Sequence, residues 1–425
     1  MHPDTPTYLE TLDAIRDRCH AVLALARSGA AGATASSFTF DASRLPAVAD
    51  FVTSLIRRDY PDVTKVPPHS RWRHYQMDGI DRVQRLVDAW AGAGVDKHEQ
   101  ARRVLDLFIV SVLLDAGAGN DWKYAEKATG KTYARSEGLA VAALDMFASG
   151  AFSSDAANPF QCDAQGLQKL TVDDLANGFQ VSATNPLVGL EGRRNLLASL
   201  GHLIASSPYF RGTSTVARPG NISDYLLSHA TSGSHVDLTH LWTAIQSLKP
   251  IWPARITLAG VALGDVWQCP LLPSGSLLVP FHKLSQWLTY SLMEPLESIL
   301  GLRVDGKAKL TGLAEYRNGG LFMDMGVLTL TPAALARATM SGGQESVPLF
   351  VPSDPAVVEW RALTVALLDE VGKLVRERLG MTEDQLELAK VLEGGTWKAG
   401  REVAAEKRPK TKGPPMNLIS DGTVF

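Results

Sequence analysis

KHEQARRVLDLFIVSVLLDAGAGN, residues 97–120, is the stretch that decides the fold. It begins polar and then fills with apolar side chains: Val104, Leu105, Leu107, Phe108, Ile109, Val110, Val112, Leu113 and Leu114. A helix apolar on most of its sides is buried on most of them, so 97–114 is predicted to be the spine of a helical lobe. The run Asp115-Ala116-Gly117-Ala118-Gly119-Asn120 ends it, because its two glycines relieve the steric penalty on positive φ.

Amphipathic helices flank this spine. Leu45, Val48, Phe51, Val52, Leu55 and Ile56 recur at helical spacing, and Ile80, Val83, Leu86, Val87 and Trp90 repeat the pattern after the turn at Pro67-Pro68. Further helices are expected at 136–149, 171–180 with a capping-box pattern from Thr171 to Asp174, 189–206, 223–230 and 237–248. In 282–300 the residues Leu284, Trp287, Leu288, Ser291, Leu292, Leu296 and Ile299 lie near one face, with Pro295 expected to kink or divide the helix. Late helices are expected to start at Asp354-Pro355 and at Thr382, where Gln385 follows three residues on. Between these, 255–268 reads as a short hairpin or irregular strand pair, with Gly260 and Gly264 among Ile256, Leu258, Val261 and Leu263. The fold class is therefore mainly α, a multi-helix globular fold with a cleft and a small β-hairpin element. The expected organisation is an N-terminal helical lobe over 1–150, a main helical lobe carrying the site over 151–406, and an extended C-terminal arm over 407–425, unless the chain is one continuous domain.

Composition narrows the class of function. At 425 residues and 45% hydrophobic, the chain can bury a large core. Its 42 Lys and Arg against 45 Asp and Glu give a net charge of −3, which supplies no global attraction to nucleic acid or an anionic membrane. The basic segment with Lys407, Arg408, Lys410 and Lys412 reads as a solvated arm in preference to a nucleic-acid tail. No signal-like start and no long apolar run occurs, since 266–281 is broken by Pro270, Pro273, Gly275 and Pro280. With the three dispersed cysteines Cys19, Cys162 and Cys269, this points to a cytoplasmic protein.

Standard catalytic motifs fail in this sequence. Thr129-Gly130-Lys131-Thr132 lacks the first glycine of a phosphate-binding loop, and Gly117-Ala118-Gly119 lacks the third glycine of a dinucleotide fingerprint. His229, His235 and His240 have no HExxH arrangement, and no GxSxG elbow or cysteine nucleophile signature appears, so no metal or cofactor is expected. What remains are three stretches that mix charged, aromatic and glycine residues. VPPHSRWRHYQMDGIDR (66–82) places His69, Arg71, Trp72, Arg73 and His74 in a Pro-preceded turn able to hold a carboxylate or phosphate, unless the turn serves only helix packing around Trp72. PFHKLSQWLTY (280–290) puts His282, Lys283 and Gln286 at a helix start, which favours an anionic ligand. LTGLAEYRNGGLFMDMGVL (310–328) gathers Glu315, Tyr316, Arg317 and Asn318 before two glycines and Asp324, a set suited to a small polar substrate or to an internal ion pair.

These stretches, together with LLDAGAGNDWKYAEKATGKTYARSEGLAVAALDMF (113–147), NPLVGLEGRRNLLASLG (185–201) and the terminal SDGTVF, resemble the uracil-catabolism protein four family (Urc-four, Urg-three in yeasts) over nearly the whole chain. The resemblance implies a route that degrades uracil through a ribosylated intermediate toward urea, beside a cyclohydrolase-like ring-opening protein. It implies a nucleoside- or nucleotide-derived substrate. Phe281-His282-Lys283-Leu284-Ser285-Gln286 and Glu315-Tyr316-Arg317-Asn318-Gly319-Gly320 are also similar to two stretches of queuosine nucleosidases, helical enzymes with a DNA-glycosylase-like fold. In that comparison Glu315 stands where those enzymes have aspartate and Lys283 and Gln286 are retained, while Asn318 and the glycines depart from the pattern.

The expected chemistry is hydrolysis of the ribose–urea C–N bond of a ribosylurea, with or without a 5-phosphate. Such a bond breaks through an oxocarbenium-like transition state, so a carboxylate stabilises the sugar and an acid protonates the leaving nitrogen. Glu315 or Asp324 is the expected carboxylate. Lys283, Arg317, Arg73 or His74 would clamp sugar or phosphate oxygens, His282, Gln286 and Asn318 would complete the polar contacts, and Tyr316 and Trp72 would wall the site. Asp115 and Asp265 are further carboxylate candidates, read first as turn or capping residues. The alternatives are a phosphoribosyl transfer or amidohydrolase step on the same intermediate, or a noncatalytic scaffold for the ring-opening partner.

Overall fold

The apolar stretch at the centre of the chain forms the helix Lys97–Leu114, capped by the Asp96 side chain and buried on all sides from Val104 to Leu114. Fully burying each large apolar side chain contributes about 1.5–3 kcal/mol, so this helix supplies a large part of the core around it. It stops where expected, but the left-handed residue is Gly119 (φ +84°) rather than one next to the helix end, and Asp115 closes the last turn through its own N–H. The computed structural model describes residues 2–29, 35–115, 117–119, 121–212, 216–231, 234–252, 254–341 and 345–419.

The chain divides into two units, each assembled from separated segments. The second unit comprises Ser70–Trp252 and Trp287–Gly306. Here the spine helix packs against Arg82–Gly92, Arg135–Ala148 and Leu190–Ser206, and Ala164–Lys169 lies on the last of these. Position 150, the expected lobe boundary, lies inside this unit. The capping box forms at Val172–Gly178, where the Thr171 and Asp174 side chains each accept from the other's backbone.

The first unit comprises Met1–His69, Pro253–Gln286 and Lys307–Phe425. Its long helix Pro355–Leu379 starts at the expected Asp354-Pro355 cap and packs against Leu12–Ser28, Leu45–Asp59 and Tyr316–Asp324. The predicted hairpin is present: Thr257–Leu258 pairs antiparallel with Val261–Ala262 across Ala259 and Gly260, both at positive φ as a type I′ turn requires. Its apolar side chains Ile256, Leu258 and Val261 cover a core of Leu9, Leu263, Val266 and Leu278.

Three expectations are corrected. Thr382 opens a single turn, closed by Leu386 N–H on Thr382 O, and regular helix begins only at Leu388 because Leu386 dives into the core. The helix Lys283–Ser298 is not divided: it continues through Pro295, although this residue lacks the N–H that would bond the Ser291 carbonyl oxygen. The basic segment after Lys407 is exposed but is not a free arm: Arg408 pairs with Asp324, the Lys410 and Thr411 N–H groups bond Glu345, and Asn417–Leu418 adds as a parallel strand to Val347–Phe350. The terminal residues 420–425, expected to dock, lie outside the described residues. Among the described residues the remaining strands form short pairs, and no helix is long and apolar enough to cross a membrane.

Candidate active site

The site is built around the start of the helix Tyr316–Asp324. Glu315 is its N-cap residue, with extended backbone, and its two carboxylate oxygens accept from the N–H groups of Arg317 (2.8 Å) and Asn318 (2.5 Å). Those donors are the ones a helix leaves unsatisfied at its start, so the carboxylate also meets the positive end of the helix dipole. Glu315 is only 8% exposed. Burial raises its carboxyl pKa above the ordinary glutamate value, and it does so against the two N–H bonds and the charge of Lys283. Proton affinity above the usual range, in a carboxylate that still has lone pairs uncommitted, is the electrostatic profile of a general base or charge-stabilising group.

The helix can sit this deeply because of glycines. A Cβ on Gly319 would meet Trp360 at 2.6 Å and the Thr364 hydroxyl at 2.7 Å, and one on Gly400 would meet the Arg317 carbonyl oxygen at 2.1 Å. Only glycine allows the helices Pro355–Leu379 and Trp397–Lys407 to close on Tyr316–Asp324 from two sides. Beside Glu315, the Asn318 side chain is buried and its Oδ1 has no hydrogen-bond donor among the described residues. A buried carbonyl left without a donor carries a cost of about 1–3 kcal/mol, which a bound ligand's N–H would remove. Arg317 lies over the Tyr316 ring at 4.9 Å and donates to the Lys412 carbonyl oxygen at 2.9 Å.

Lys283 belongs to the same unit and opens the helix Lys283–Ser298, its backbone N–H donating to Asp265 at 3.0 Å. Asp265 in turn takes two bonds of 2.8 Å from Arg361 and one of 2.7 Å from the Trp267 indole N–H. The buried guanidinium and these donors outweigh burial and hold the Asp265 carboxyl well below the ordinary range, so this carboxylate fixes the Lys283 turn. His282, at positive φ, bonds the Leu9 carbonyl oxygen through Nε2 at 2.9 Å. The Gln286 amide is engaged by Thr311, giving 2.8 Å to its hydroxyl and accepting 3.0 Å from its N–H, which ties the helix start to the strand of chain leading to Glu315. Asp324 lies at the far end of the helix with both oxygens on Arg408 at 2.8 and 2.5 Å.

The structure thus brings Glu315, Asn318, Tyr316, Arg317 and Lys283 to one helix start and its surroundings, with Gln286 and His282 as supports. Trp72, Arg73 and His74 belong to the second unit. There the Trp72 indole donates to Asp81 at 3.0 Å, Arg73 pairs with Glu294 and Gln76, and His74 meets the Trp287 ring edge-on at 5.8 Å. Asp115 pairs with Arg71 at 2.6 Å in that unit. His229 and His240 stack at 4.5 Å while His235 pairs with Asp305, and among the described residues no three His, Cys, Asp or Glu side chains converge as a metal site requires. Sequence reading named His69 among the donors of the 66–82 turn but missed its partner Glu393, which lies 324 positions away and shares no motif with it.

A mainly helical protein with a desolvated, helix-capping glutamate, whose unit also holds a lysine at a second helix start, fits the class of small-molecule enzymes or binding proteins. The chain belongs to the family described as protein of unknown function DUF1688, which matches residues 8–425. It is 43% identical to the uracil catabolism protein 4 of Lachancea kluyveri over 446 residues, covering all of both chains. It is also 43% identical to the protein urg3 of Schizosaccharomyces pombe over 429 residues, again covering all of both.

Proposed function

We propose that the protein acts in uracil catabolism as an N-glycosidase, hydrolysing the ribose–urea bond of a ribosylurea or its 5-phosphate. The role in uracil catabolism rests on the likeness to the uracil catabolism protein of Lachancea kluyveri. The reaction rests on one observation, the Glu315 carboxylate buried at a helix start with one oxygen on the Arg317 N–H and the other on the Asn318 N–H, where burial raises its proton affinity. An oxocarbenium-like transition state puts positive charge on the sugar, and a desolvated carboxylate interacts with that charge far more strongly than with the neutral ground state. Glu315 also orients water for attack on the anomeric carbon. The donor-free Oδ1 of Asn318 suits the N–H groups of a ureido leaving group, and the Lys283 ammonium suits sugar or phosphate oxygens.

The test is to incubate the purified protein, without added metal, with ribosylurea and with its 5-phosphate, and to follow urea and free sugar by mass spectrometry. Equal amounts of urea and sugar are expected from one of the two substrates. Well-folded protein that releases neither would overturn the hydrolase reading in favour of transfer chemistry or a scaffold role.

A further inference from the structure

The groups named so far leave the leaving nitrogen without a proton donor, and one cluster in the first unit has no role yet. The chain from Leu392 to Thr396 winds as a π-helix between Leu388–Val391 and Trp397–Lys407. Such turns cost regular helix bonds and are found disproportionately at functional sites. This one is pressed against the helix Leu45–Asp59 and the segment after it, since a Cβ on Gly395 would meet Val52 at 2.5 Å and one on Gly394 would meet Val66 at 2.7 Å. It carries a fully buried Thr396 hydroxyl with no hydrogen-bond partner among the described residues. It also aims Glu393 at His69: the carboxylate Oε2 lies 2.6 Å from Nδ1 of a histidine only 7% exposed.

A structural reading would make this pair a pin for the loop that carries His69. That loop is already pinned, because the His69 N–H donates to the Ala389 carbonyl oxygen at 2.9 Å. The Trp397 ring, itself under Arg401 at 4.7 Å, packs 6.0 Å from the imidazole. A carboxylate on Nδ1 fixes the ring orientation and makes Nε2 the nitrogen that exchanges protons, as it does in other histidine–carboxylate pairs. The π-helical turn that carries Glu393 also packs against the helix Tyr316–Asp324 that Glu315 caps, which sets the His69–Glu393 pair in the same part of the unit as Glu315.

We infer that His69, oriented by Glu393, is the general acid that protonates the leaving nitrogen, an assignment that rests on the hydrolase reading above. The bond between the anomeric carbon and nitrogen breaks, its electron pair stays on nitrogen, and that nitrogen takes the proton from His69 Nε2 to leave as urea. Water oxygen bonds to the anomeric carbon and gives its proton to Glu315. Transfer of that proton back to His69 through solvent restores both groups, so the sum is ribosylurea plus water giving ribose plus urea. His69 is the catalytic residue and Glu393 a positioning residue.

The test compares the wild type, His69→Gln, Glu393→Gln and Glu315→Gln on ribosylurea and on 4-nitrophenyl β-ribofuranoside, whose nitrophenolate departs without a proton. His69→Gln is expected to lose about 100- to 10,000-fold in kcat on ribosylurea and less than about tenfold on the nitrophenyl substrate. Glu393→Gln keeps a hydrogen bond to His69, so it retains the fold and shows the same selectivity in kcat with an unchanged KM. Glu315→Gln is expected to fail on both. Equal losses on the two substrates in His69→Gln and Glu393→Gln, or no loss on ribosylurea, overturn the assignment while leaving the hydrolase reading standing. If the wild type takes only ribosylurea, the alkaline limb of its pH–rate profile is expected to vanish in His69→Gln, and a limb that persists overturns the assignment. A wild type that cleaves neither substrate removes the hydrolase reading and this assignment with it.

Discussion

Replacing Glu315 by Gln separates a helix cap from a catalytic carboxylate by the size of two effects. The ionised side chain gives one oxygen to the Arg317 N–H and one to the Asn318 N–H. Glutamine has one oxygen and an NH₂, so one of those N–H groups loses its acceptor. A hydrogen bond to a charged group contributes about 1.5–3 kcal/mol, and the lost interaction with the helix dipole adds about 0.3–1 kcal/mol. Relief from burying a charge offsets part of this, leaving a net destabilisation of about 2 kcal/mol. In a unit of roughly 200 residues that lowers Tm by about 4–8 °C. Starting from a stability of about 5–15 kcal/mol, the variant stays more than about 99% folded at 25 °C. A fall in kcat of about 100-fold or more is therefore chemical and cannot come from unfolding. Glu315→Asp supplies the opposite pairing. Aspartate is a preferred N-cap residue, so Tm should hold, while withdrawal of the carboxylate by about one bond length costs about 100-fold in rate. Differential scanning fluorimetry and a urea-release assay on the same preparations measure both. If Glu315→Gln loses the expected Tm but keeps activity within about threefold, the residue is only a helix cap and the catalytic argument is wrong.

Asp265→Asn should destabilise by about 3–5 kcal/mol at pH 7, because it strands the buried Arg361 guanidinium. The wild-type carboxyl is depressed below its unfolded value near 3.8, so its stabilisation is complete above that pH and is lost as pH falls through the folded value. Urea melts should show this acid loss in the wild type and a flatter profile in the variant; parallel profiles would refute the pairing. The raised Glu315 carboxyl has the converse consequence for rate. If its ionised form is the working one, activity should fall with decreasing pH through a midpoint above the ordinary glutamate value of 4.5, and a midpoint at or below it would count against desolvation. Gly400→Ala should cost about 1–3 kcal/mol and reduce activity as well, since its methyl collides with the Arg317 carbonyl two residues from Glu315; an unchanged Tm would contradict the packing. Asp324→Asn and Arg408→Met should each lower Tm, and together cost less than their sum while activity stays within a few-fold. Loss of activity at full stability in Asp324→Asn would instead make Asp324 the catalytic carboxylate.

Much of the architecture was legible along the chain. The apolar run located the helix at 97–114, the Asp354-Pro355 cap marked the start of the one at 355–379, and glycines among apolar residues in 255–268 announced the hairpin, because these features are set by contacts within a few residues. Local chemistry also misled where a distant contact won. The Thr382–Gln385 interaction forms, yet burial of Leu386 ends the turn it starts, and the segment after 407 is tethered through Arg408 to Asp324 and through the Lys410 and Thr411 N–H groups to Glu345, while Lys410 and Lys412 stay exposed.

By itself the sequence determined the helical class, the principal caps and the candidate stretches 280–290 and 310–328, since periodicity, capping and turn chemistry act over short separations. What it could not determine was which of several polar residues are desolvated together. Glu315 and Asp324 look alike in the sequence, but one lies buried among backbone N–H groups near Lys283 and the other is neutralised by Arg408. His69 and Glu393 acquire a shared role only when a π-helical turn packed through Gly394 and Gly395 brings them within hydrogen-bond distance. Desolvation and charge pairing depend on side chains brought together from distant parts of the chain, and only the tertiary structure supplies them.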